Sequence, residues 1–288
     1  MSIETGILYI VATPLGNLAD ITYRAVQVLR DVDLIAAEDT RHSLPLLRYY
    51  GIDTLLISLH EHNEQARAVE LTARLRAGES IAMISDAGTP LISDPGYRLV
   101  ANARAAGLPV TPIPGPSAVI AALSTAGLPT NRFVFEGFLP PKAGARQRRL
   151  QELTVEMRTL VFYEASHRIA ASLNAMRDVL GRERRAVVAR ELTKTFENSH
   201  GDTLAALCDW INAEAKRRRG EFVVVVEGAS ESPHRAPSLD IRRLLSVLLT
   251  ELPVKTAARL AADVTGDKKN ALYRLALKIA SESSQHPA

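Results

Sequence analysis

The sequence has 288 residues, of which 47% are hydrophobic and 23% charged, with a net charge of +3 at neutral pH. This composition is typical of a globular protein of about two domains, and it excludes a mainly disordered chain. The single cysteine, Cys208, excludes an intramolecular disulfide or a cysteine-rich metal site and favours the cytoplasm, while no apolar run approaches the about 20 residues of a membrane span.

The first part of the chain alternates short apolar runs with helical patterns. The predicted strands are Ile7–Ala12, Val32–Ala37, Leu55–Leu59, Ile81–Ser85 and Val110–Ile113. The predicted helices between them are Ile21–Leu29, Glu64–Arg76 and Tyr97–Ala106. Strands recurring between helices predict a mostly parallel sheet covered by helices on both faces.

The alternation resumes after the Pro114-Gly115-Pro116 cluster, which marks a predicted boundary between domains 1–116 and 117–229. The further predicted strands are Arg132–Phe138, Thr159–Tyr163, Arg185–Ala189 and Glu221–Glu227. The further predicted helices are Ser117–Ala126, Ala145–Glu156, Arg168–Leu180 and Thr203–Arg217. The fold class is therefore α/β, with two α/β/α domains.

A third unit follows a polar, proline-containing segment, residues 230–237, that is typical of a linker. Residues 238–288 are predicted to be helical, with helices at Leu239–Thr250, Thr256–Val264 and Lys268–Ala280. The last two helices and the turn between them resemble a helix-turn-helix, which favours an RNA-contacting tail. A helical packing or dimerisation unit with a solvated basic face is the alternative.

Three loops after predicted strands have unusual compositions: residues 12–18, 85–96 and 113–118. The chain contains no G-x-G-x-x-G and no G-x-x-x-x-G-K-[ST], the patterns that cradle phosphates, which argues against NAD and ATP. The second loop, Ser85–Gly96, is longer than the usual ~2–6 residues and holds two glycines, two prolines and two aspartates. Such a rigid wall of main-chain groups suits an adenine and a cationic ligand better than a triphosphate.

Polar clusters follow three further strands, at Glu38–Arg41, Tyr163–Arg168 and Arg190–Glu197. Together they predict one site facing a cleft between the two α/β domains. His60-Glu61-His62 lacks the spacing of a helical zinc motif, so no metal site is expected.

Basic residues are clustered, which supplies the electrostatic part of nucleic-acid binding. Three clusters precede the tail, at 142–149, 182–185 and 216–219. The residues predicted to bind RNA are Lys142, Arg146, Arg148, Arg149, Lys255, Lys268, Lys269 and Arg274.

Six motifs carry a resemblance to a known family. They are Val11-Ala-Thr-Pro-Leu-Gly-Asn-Leu18, Ala37-Glu-Asp-Thr-Arg41, Ser85-Asp-Ala-Gly-Thr-Pro-Leu-Ile-Ser-Asp-Pro-Gly96, Pro114-Gly-Pro-Ser-Ala118, Tyr163-Glu-Ala-Ser-His-Arg168 and Ala189-Arg-Glu-Leu-Thr-Lys194. Over residues 6–228 the chain resembles the 16S ribosomal RNA cytidine 2′-O-methyltransferase family, within the tetrapyrrole-methylase-like S-adenosylmethionine enzymes. Related porphyrin-precursor methylases carry a G-G-D-P type loop where this chain has Ser85-Asp86-Ala87-Gly88, and they lack the basic tail.

The resemblance implies a homodimer in which S-adenosylmethionine lies between the two α/β domains, without a metal. The acceptor would be the 2′-hydroxyl of the decoding-centre cytidine, position 1402 in the usual 16S numbering, on 16S rRNA or the small ribosomal subunit. By analogy the cofactor-binding residues are Pro14, Gly16, Asn17, Asp86, Ala87, Gly88, Thr89, Pro114 and Ser117.

A ribose hydroxyl is a weak nucleophile, so a base or a charged partner should assist in-line transfer. The candidates at the cleft edge are Glu38, Arg41, Glu164, His167, Arg190, Glu191 and Lys194. Either a carboxylate or a lysine with a lowered pKa could accept the proton, and the sequence does not choose between them.

Two alternatives remain open at this point. A methylase of a small tetrapyrrole-like acceptor would ignore RNA and would tolerate loss of residues 237–288. A non-catalytic nucleic-acid-binding protein would bind RNA or DNA in a salt-sensitive way without donor affinity.

Overall fold

A computed structural model describes residues 6–230 and 241–283, in two compact units, Met1–Ala229 and Ser230–Ala288. Apart from Ser230, the predicted linker lies outside the described residues. Residues 238–240 and 284–288 of the predicted tail also lie outside them. Within the described ranges, no helix is both long enough and apolar enough to cross a membrane.

The first sheet is fully parallel, as the alternating pattern predicts. Its strands are β1 (Leu8–Val11), β2 (Leu34–Ala37), β3 (Leu56–Ser58), β4 (Ile81–Ile84) and β5 (Val110–Ile113), in the order β3-β2-β4-β1-β5. Its helices are α1 (Tyr23–Asp31), α2 (Thr40–Tyr49), α3 (Glu64–Arg76) and α4 (Tyr97–Ala105). Helix α2 was not predicted, because Pro45 interrupts its pattern, but its start is capped by the Asp39 side chain.

Helices cover both faces of this sheet, which explains the continuous apolar runs in its strands. Alternate residues of β1 and β2, such as Tyr9 and Ile35, pack in one cluster with α1 and α2. Their neighbours, such as Leu8 and Leu34, pack in a second cluster with α3 and α4. A strand buried on both faces has no polar side to alternate with.

The second sheet is mixed, which the alternation did not predict. Its strands are β6 (Phe133–Phe138), β7 (Thr159–Ala165), β8 (Arg185–Arg190), β9 (Asn198–Thr203) and β10 (Glu221–Val226), in the order β6-β7-β10-β8-β9. Only β6 and β7 pair in parallel among these described strands, because β10 returns between β7 and β8 and runs antiparallel to both. The polar edge strand β9 carries no apolar alternation, so the sequence gives no sign of it.

Four helices cover the second sheet. They are α5 (Ala118–Thr125), α6 (Ala143–Glu152), α7 (Ile169–Leu180) and α8 (Leu204–Ala213). The last three pack on one face, around Phe162 and Val224, while α5 packs on the other, against Val161 and Val223. The predicted helix Thr203–Arg217 is split, since α8 ends at Ala213 and a short 3-10 helix spans Ala215–Arg218.

Residues 241–283, the part of the second unit that the structure describes beyond Ser230, form three helices, as predicted. They are α9 (Ile241–Glu251), α10 (Val254–Thr265) and α11 (Lys269–Ser283). Leu245, Ala258, Ala261 and Ala276 are fully buried in their common core. Gly266 ends α10 with a left-handed backbone (φ 74°), which glycine adopts at no steric cost.

Candidate functional site

Three loops at the carboxyl ends of β1, β4 and β5 are joined into one wall. Thr13 and Gly88 exchange main-chain hydrogen bonds of 2.9 and 3.0 Å. The Thr13 hydroxyl donates to the Ser85 carbonyl (3.2 Å), and the Thr89 hydroxyl donates to the Pro116 carbonyl (2.9 Å). The carboxyl ends of parallel strands are where α/β sheets bind ligands, so this wall is a candidate binding surface.

The wall is tightly packed and partly strained. A Cβ atom added to Gly115 would lie 3.0 Å from Ala12 Cβ, so this glycine lets two loops approach closely. Leu91 and Ser93 both adopt a left-handed backbone with φ 71°, a conformation that is uncommon outside glycine. Strain of this kind concentrates at functional sites, where the surrounding structure holds it in place.

A cavity of about 320 Å³ lies between this wall and the edge of the second sheet. The wall contributes Leu15, Ala87, Gly88, Thr89, Ile92, Ser93, Asp94, Ser117 and Ala118. The second sheet and its loops contribute Phe138, Tyr163, Glu164, Ala165, Ala189, Leu192, Glu221, Phe222 and Val223. A concave, mostly apolar site with a few polar groups is the usual form of a small-molecule site.

Three acidic residues interact with one another beside this cavity: Asp94 lines it, whereas Asp86 and the catalytic candidate Glu38 do not. Burial and the nearby charge of Asp86 raise the pKa of the Asp94 carboxyl, although a hydrogen bond with Ser85 offsets part of the rise. Burial, followed by the charges of Asp94 and Asp86, also raises the pKa of Glu38. Like charges in a partly desolvated site favour a bound cation or a retained proton.

Tyr163 faces the same acidic group. Burial and the Asp94 charge raise the pKa of the Tyr163 phenol to about 12, so the phenol stays protonated at neutral pH. Its ring packs edge-on against Phe135 and Phe138, at centroid distances of 4.9 and 5.7 Å. Tyr163 is therefore a fixed, neutral hydroxyl group at the cavity.

The predicted cofactor-binding residues divide into two groups. Ala87, Gly88, Thr89 and Ser117 line the cavity. Asp86 lies beside them, and its carboxylate accepts a hydrogen bond from the Asp39 main-chain N–H (3.1 Å). The remaining predicted residues, Pro14, Gly16, Asn17 and Pro114, belong to the same loops but do not line the cavity.

Glu164, a predicted catalytic candidate, is 2% exposed and held by its own neighbours. Its carboxylate accepts hydrogen bonds from the Ser172 hydroxyl and the Ala165 main-chain N–H, and it lies 3.3 Å from Arg168 Nε. These contacts anchor the start of α7 to the end of β7.

Two other catalytic candidates lie at the surface. His167 is exposed, and the exposed Arg41 pairs with Asp39 (2.8 Å). Neither lines the cavity.

The remaining catalytic candidates follow β8. Lys194 Nζ lies 2.8 Å from Glu221 and 3.2 Å from Glu191, and Arg190 Nε donates to the Arg219 carbonyl (2.6 Å). Partial burial alone would lower the pKa of Lys194, but the two carboxylates outweigh it and the pKa is raised. The raised pKa keeps Lys194 an ammonium ion, which favours the other alternative, a carboxylate, as the proton acceptor.

Two of the predicted RNA-binding residues of α6 are engaged within the protein. Arg146 is only 9% exposed and donates to the Pro141 carbonyl (3.2 Å), so its guanidinium is not presented to RNA. Arg149 pairs with Glu136 and Glu152, both at 2.6 Å. The other predicted RNA-binding residues are exposed: Lys142, Arg148, Lys255, Lys268, Lys269 and Arg274.

Sequence reasoning did not select Asp94, Tyr163, Ser93 or Phe138 as site residues. Asp94 and Ser93 lie in the loop that the sequence singled out, and Tyr163 begins a polar cluster that it also singled out. Their common signal was membership of segments that the sequence singles out at the ends of strands. Phe138 carries no such signal, because nothing in the sequence shows that β6 ends at the cavity.

Comparisons with known proteins agree with this geometry. A family model described as Tetrapyrrole (Corrin/Porphyrin) Methylases matches residues 7–208, and one described as RsmI C-terminal HTH domain matches residues 235–280. The chain is 55% identical over 277 residues to Ribosomal RNA small subunit methyltransferase I of Pseudomonas aeruginosa, covering 96% of this chain and 98% of the relative. It is 54% identical to the protein of the same name from Escherichia coli O157:H7, with 95% of each chain covered.

A solved structure shares the fold at low identity. It is uroporphyrin-III C-methyl transferase from Thermus thermophilus complexed with S-adenyl homocysteine, with a TM-score of 0.52 and 16% identity. The match covers 76% of this chain and 96% of that one.

Proposed function

Because this chain belongs to the ribosomal RNA small subunit methyltransferase I family, built on the tetrapyrrole methylase fold, we propose that it methylates 16S rRNA. The donor is S-adenosylmethionine, and the acceptor is the 2′-hydroxyl of the decoding-centre cytidine. The observation that carries this proposal is the cavity between the two sheets, whose mostly apolar lining includes the carboxyl group of Asp94.

The residues of the cavity fit S-adenosylmethionine. The donor combines a flat adenosine with a sulfonium and an ammonium charge, and it needs apolar surface, main-chain hydrogen-bonding groups and negative charge. Leu15, Leu192 and Val223 supply apolar surface, and the loop from Ala87 to Thr89 supplies main-chain groups. The carboxylates of Asp94 and Asp86 favour a cation.

When bound, S-adenosylmethionine supplies an electrophilic methyl group, and the chain must supply orientation and a proton acceptor. We assign the proton acceptor to Asp94, whose carboxylate would take the proton of the ribose hydroxyl. Burial and Asp86 raise its pKa, which makes it a stronger base than an ordinary aspartate. Tyr163, still protonated, would donate a hydrogen bond at the same side of the cavity.

Lys194 has a different part in this proposal. Its ammonium stays charged between Glu191 and Glu221, next to the cavity wall that Glu221 and Leu192 form. It would hold this edge of the second sheet in place.

The partners and location follow from the proposed substrate. The helical tail and the exposed Lys142 and Arg148 would contact rRNA, since basic surfaces bind phosphates. The enzyme would act on small ribosomal subunits in the cytoplasm as a homodimer, with residues 1–116 and 117–229 as its two α/β domains. The match of residues 235–280 to a helix-turn-helix family supports the role of the tail.

The test is transfer of labelled methyl from S-adenosylmethionine to small ribosomal subunits that lack the modification, with protein-free 16S rRNA in parallel. Label on the ribose of the decoding-centre cytidine is the expected result. Donor binding without label in either RNA would favour a small tetrapyrrole-like acceptor, and absence of donor binding would overturn the enzyme proposal.

A further inference from the structure

We propose that a second groove, next to the catalytic cavity, binds a nucleotide of single-stranded RNA that flanks the methylated cytidine. This inference rests on the proposed function and extends it to substrate recognition. The groove, here called the Phe196 groove, has a volume of about 790 Å³. It lies between the loop after β8, the edge strand β9, and the α8–β10 connection.

Aromatic side chains provide a stacking surface in this groove. Phe196 lines it and is 70% exposed, so its ring is accessible to a base. His200 and Trp210 stack on each other with centroids 4.6 Å apart and planes 13° apart. The Arg217 guanidinium lies 5.2 Å from the Trp210 ring centroid, so the aromatic pair is held in place.

The groove also carries positive charge suited to a phosphate backbone. Four basic residues line it: Arg190, Lys216, Arg217 and Arg219. Glu214 pairs with both Lys216 and Arg217, which orders these side chains. The other two acids are occupied within the loop, because Glu197 accepts from the Thr193 main-chain N–H and Glu191 pairs with Lys194.

The two arginines beside the loop are placed as a pair. Arg190 Nε donates to the Arg219 main-chain carbonyl (2.6 Å), which fixes the Arg190 guanidinium to the backbone at Arg219, and both residues line the groove. Aromatic surface combined with basic side chains is the arrangement by which proteins bind single-stranded nucleic acid. A protein partner would need no such row of arginines, and so the charge favours RNA.

The groove adjoins the catalytic cavity, because neighbouring residues of the chain line the two. Leu192 and Glu221 line the cavity, whereas Glu191 and Gly220, their neighbours in the chain, line the groove. Glu191 and Thr193 adopt left-handed backbones (φ 52° and 67°), and a Cβ at Gly220 would lie 2.5 Å from Glu191 Cγ. When the target ribose of an RNA strand lies in the cavity, the next nucleotide of that strand would cross this compact, strained partition and lie beside Phe196.

The test compares variants of the full-length enzyme on small ribosomal subunits that lack the modification. We expect Phe196→Ala to raise the KM for subunits about tenfold, the effect of losing one base–aromatic stack. The dissociation constant for S-adenosylmethionine should not change. Phe196→Tyr should restore the KM, whereas Arg219→Ala should raise it and lower its salt dependence by about 0.7 in log–log slope, the value for one contact to single-stranded RNA.

Matched controls are Tyr23→Ala, which removes an aromatic side chain that is 99% exposed, and Arg76→Ala, which removes an exposed arginine of α3. Both should keep the wild-type KM. A wild-type KM for Phe196→Ala would overturn the groove proposal alone, whereas wild-type enzyme that transfers no methyl to subunits would overturn the proposed function. Conversion of a dimer to a monomer by Phe196→Ala would instead show that a second copy of the chain covers this groove.

Discussion

Gly16, in a loop of the first sheet, packs against the side chain of Lys194, in a loop of the second sheet. A Cβ atom added to Gly16 would lie 2.3 Å from Lys194 Cγ and 2.8 Å from Cε, so the aliphatic part of the lysine occupies the space that a side chain would need. Gly16 belongs to the loop after β1, and Lys194 to the loop after β8. The absence of a side chain at position 16 thus lets the loop of the first sheet close against that of the second.

The first prediction concerns this contact. Gly16→Ala should lower kcat/KM about tenfold, because the methyl group displaces Lys194 from Glu191 and Glu221 at the edge of the cavity. Steady-state kinetics with subunits would measure this. In a Lys194→Ala background the same substitution should cost much less, since the side chain it strikes is gone. Equal costs in the two backgrounds would show that Lys194 does not mediate the effect.

The second prediction concerns the end of the long loop after β4. Gly96 has φ +120°, and a Cβ there would lie 2.5 Å from Met83 Sδ, a core atom. Gly96→Ala should therefore lower the free energy of unfolding by about 3 kcal/mol, combining backbone strain with displacement of a buried side chain. Gly51→Ala is the control, since Gly51 also has a positive φ (+59°) but no atom within 4 Å of the added Cβ. It should cost about 1 kcal/mol in urea unfolding, and equal losses at the two sites would refute the role of Met83.

The third prediction tests Asp94 as the proton acceptor. Asp94→Asn should lower kcat at least about 100-fold, in the range of lost general-base catalysis, and should weaken donor binding by a much smaller factor, since the Asp86 carboxylate remains. The wild-type rate should fall at low pH, with a midpoint above the ordinary range of an aspartate, since burial and Asp86 raise the Asp94 pKa. If Asp94→Asn keeps the wild-type kcat and the fall of the rate at low pH, the proton acceptor is another group. Glu38 would then be the next residue to test.

The substitution Asp94→Asn, which should lower kcat, should in contrast raise the stability of the folded protein at neutral pH. The pKa of Asp94 is raised in the folded protein, so the folded state binds its proton more tightly than the unfolded state does. The stabilisation from protonated Asp94 is complete below the unfolded pKa and is lost as pH rises through the folded pKa. Asp94→Asn should therefore raise the melting temperature at pH 7, and the gain should shrink as the solution is acidified. A lower melting temperature at pH 7 would show that the ionised carboxylate stabilises the fold.

The fourth prediction separates an anchoring role of Glu164 from a catalytic one. Removing one member of a buried ion pair costs about 3–5 kcal/mol, so Glu164→Ala should destabilise the enzyme by this amount in urea unfolding. His167→Ala, three residues away and exposed, should stay within about 0.5 kcal/mol of wild type. A stable Glu164→Ala enzyme with a large loss of kcat would return Glu164 to the catalytic candidates.

The sequence predicted the parallel sheet and the three site loops because local chemistry produces both. Strands buried on two faces are apolar throughout, and the loop Ser85–Gly96 carries its rigidity in its own glycines and prolines. The position of β10 between β7 and β8 depends instead on pairing between distant segments, which no local pattern encodes. The strand β9 and the place of Phe138 in the cavity lining also depend on contacts between distant segments, and so neither was predicted.

Roles of charged residues were less predictable than their positions. Arg146 and Lys142 belong to one basic cluster in the sequence, yet Arg146 is turned into the protein and Lys142 is exposed. In the sequence Lys194 is a possible base. In the structure, Glu221, 27 residues later in the chain, lies 2.8 Å from its ammonium. Such pairings decide pKa values, and they follow from the tertiary fold.

The last prediction concerns the helical tail. The apolar clusters of the first unit are built from residues before Ala229. The common core of α9, α10 and α11 consists of tail residues. A chain ending at Ser230 should therefore keep its melting behaviour and its donor affinity. It should bind rRNA much more weakly, as should the full chain with Lys255, Lys268, Lys269 and Arg274 all changed to alanine. If each of these four side chains contacts one phosphate, the slope of log K against log salt should fall by about 3. A truncated enzyme with unchanged KM and salt slope, but with half the mass in solution, would assign the tail to dimerisation instead.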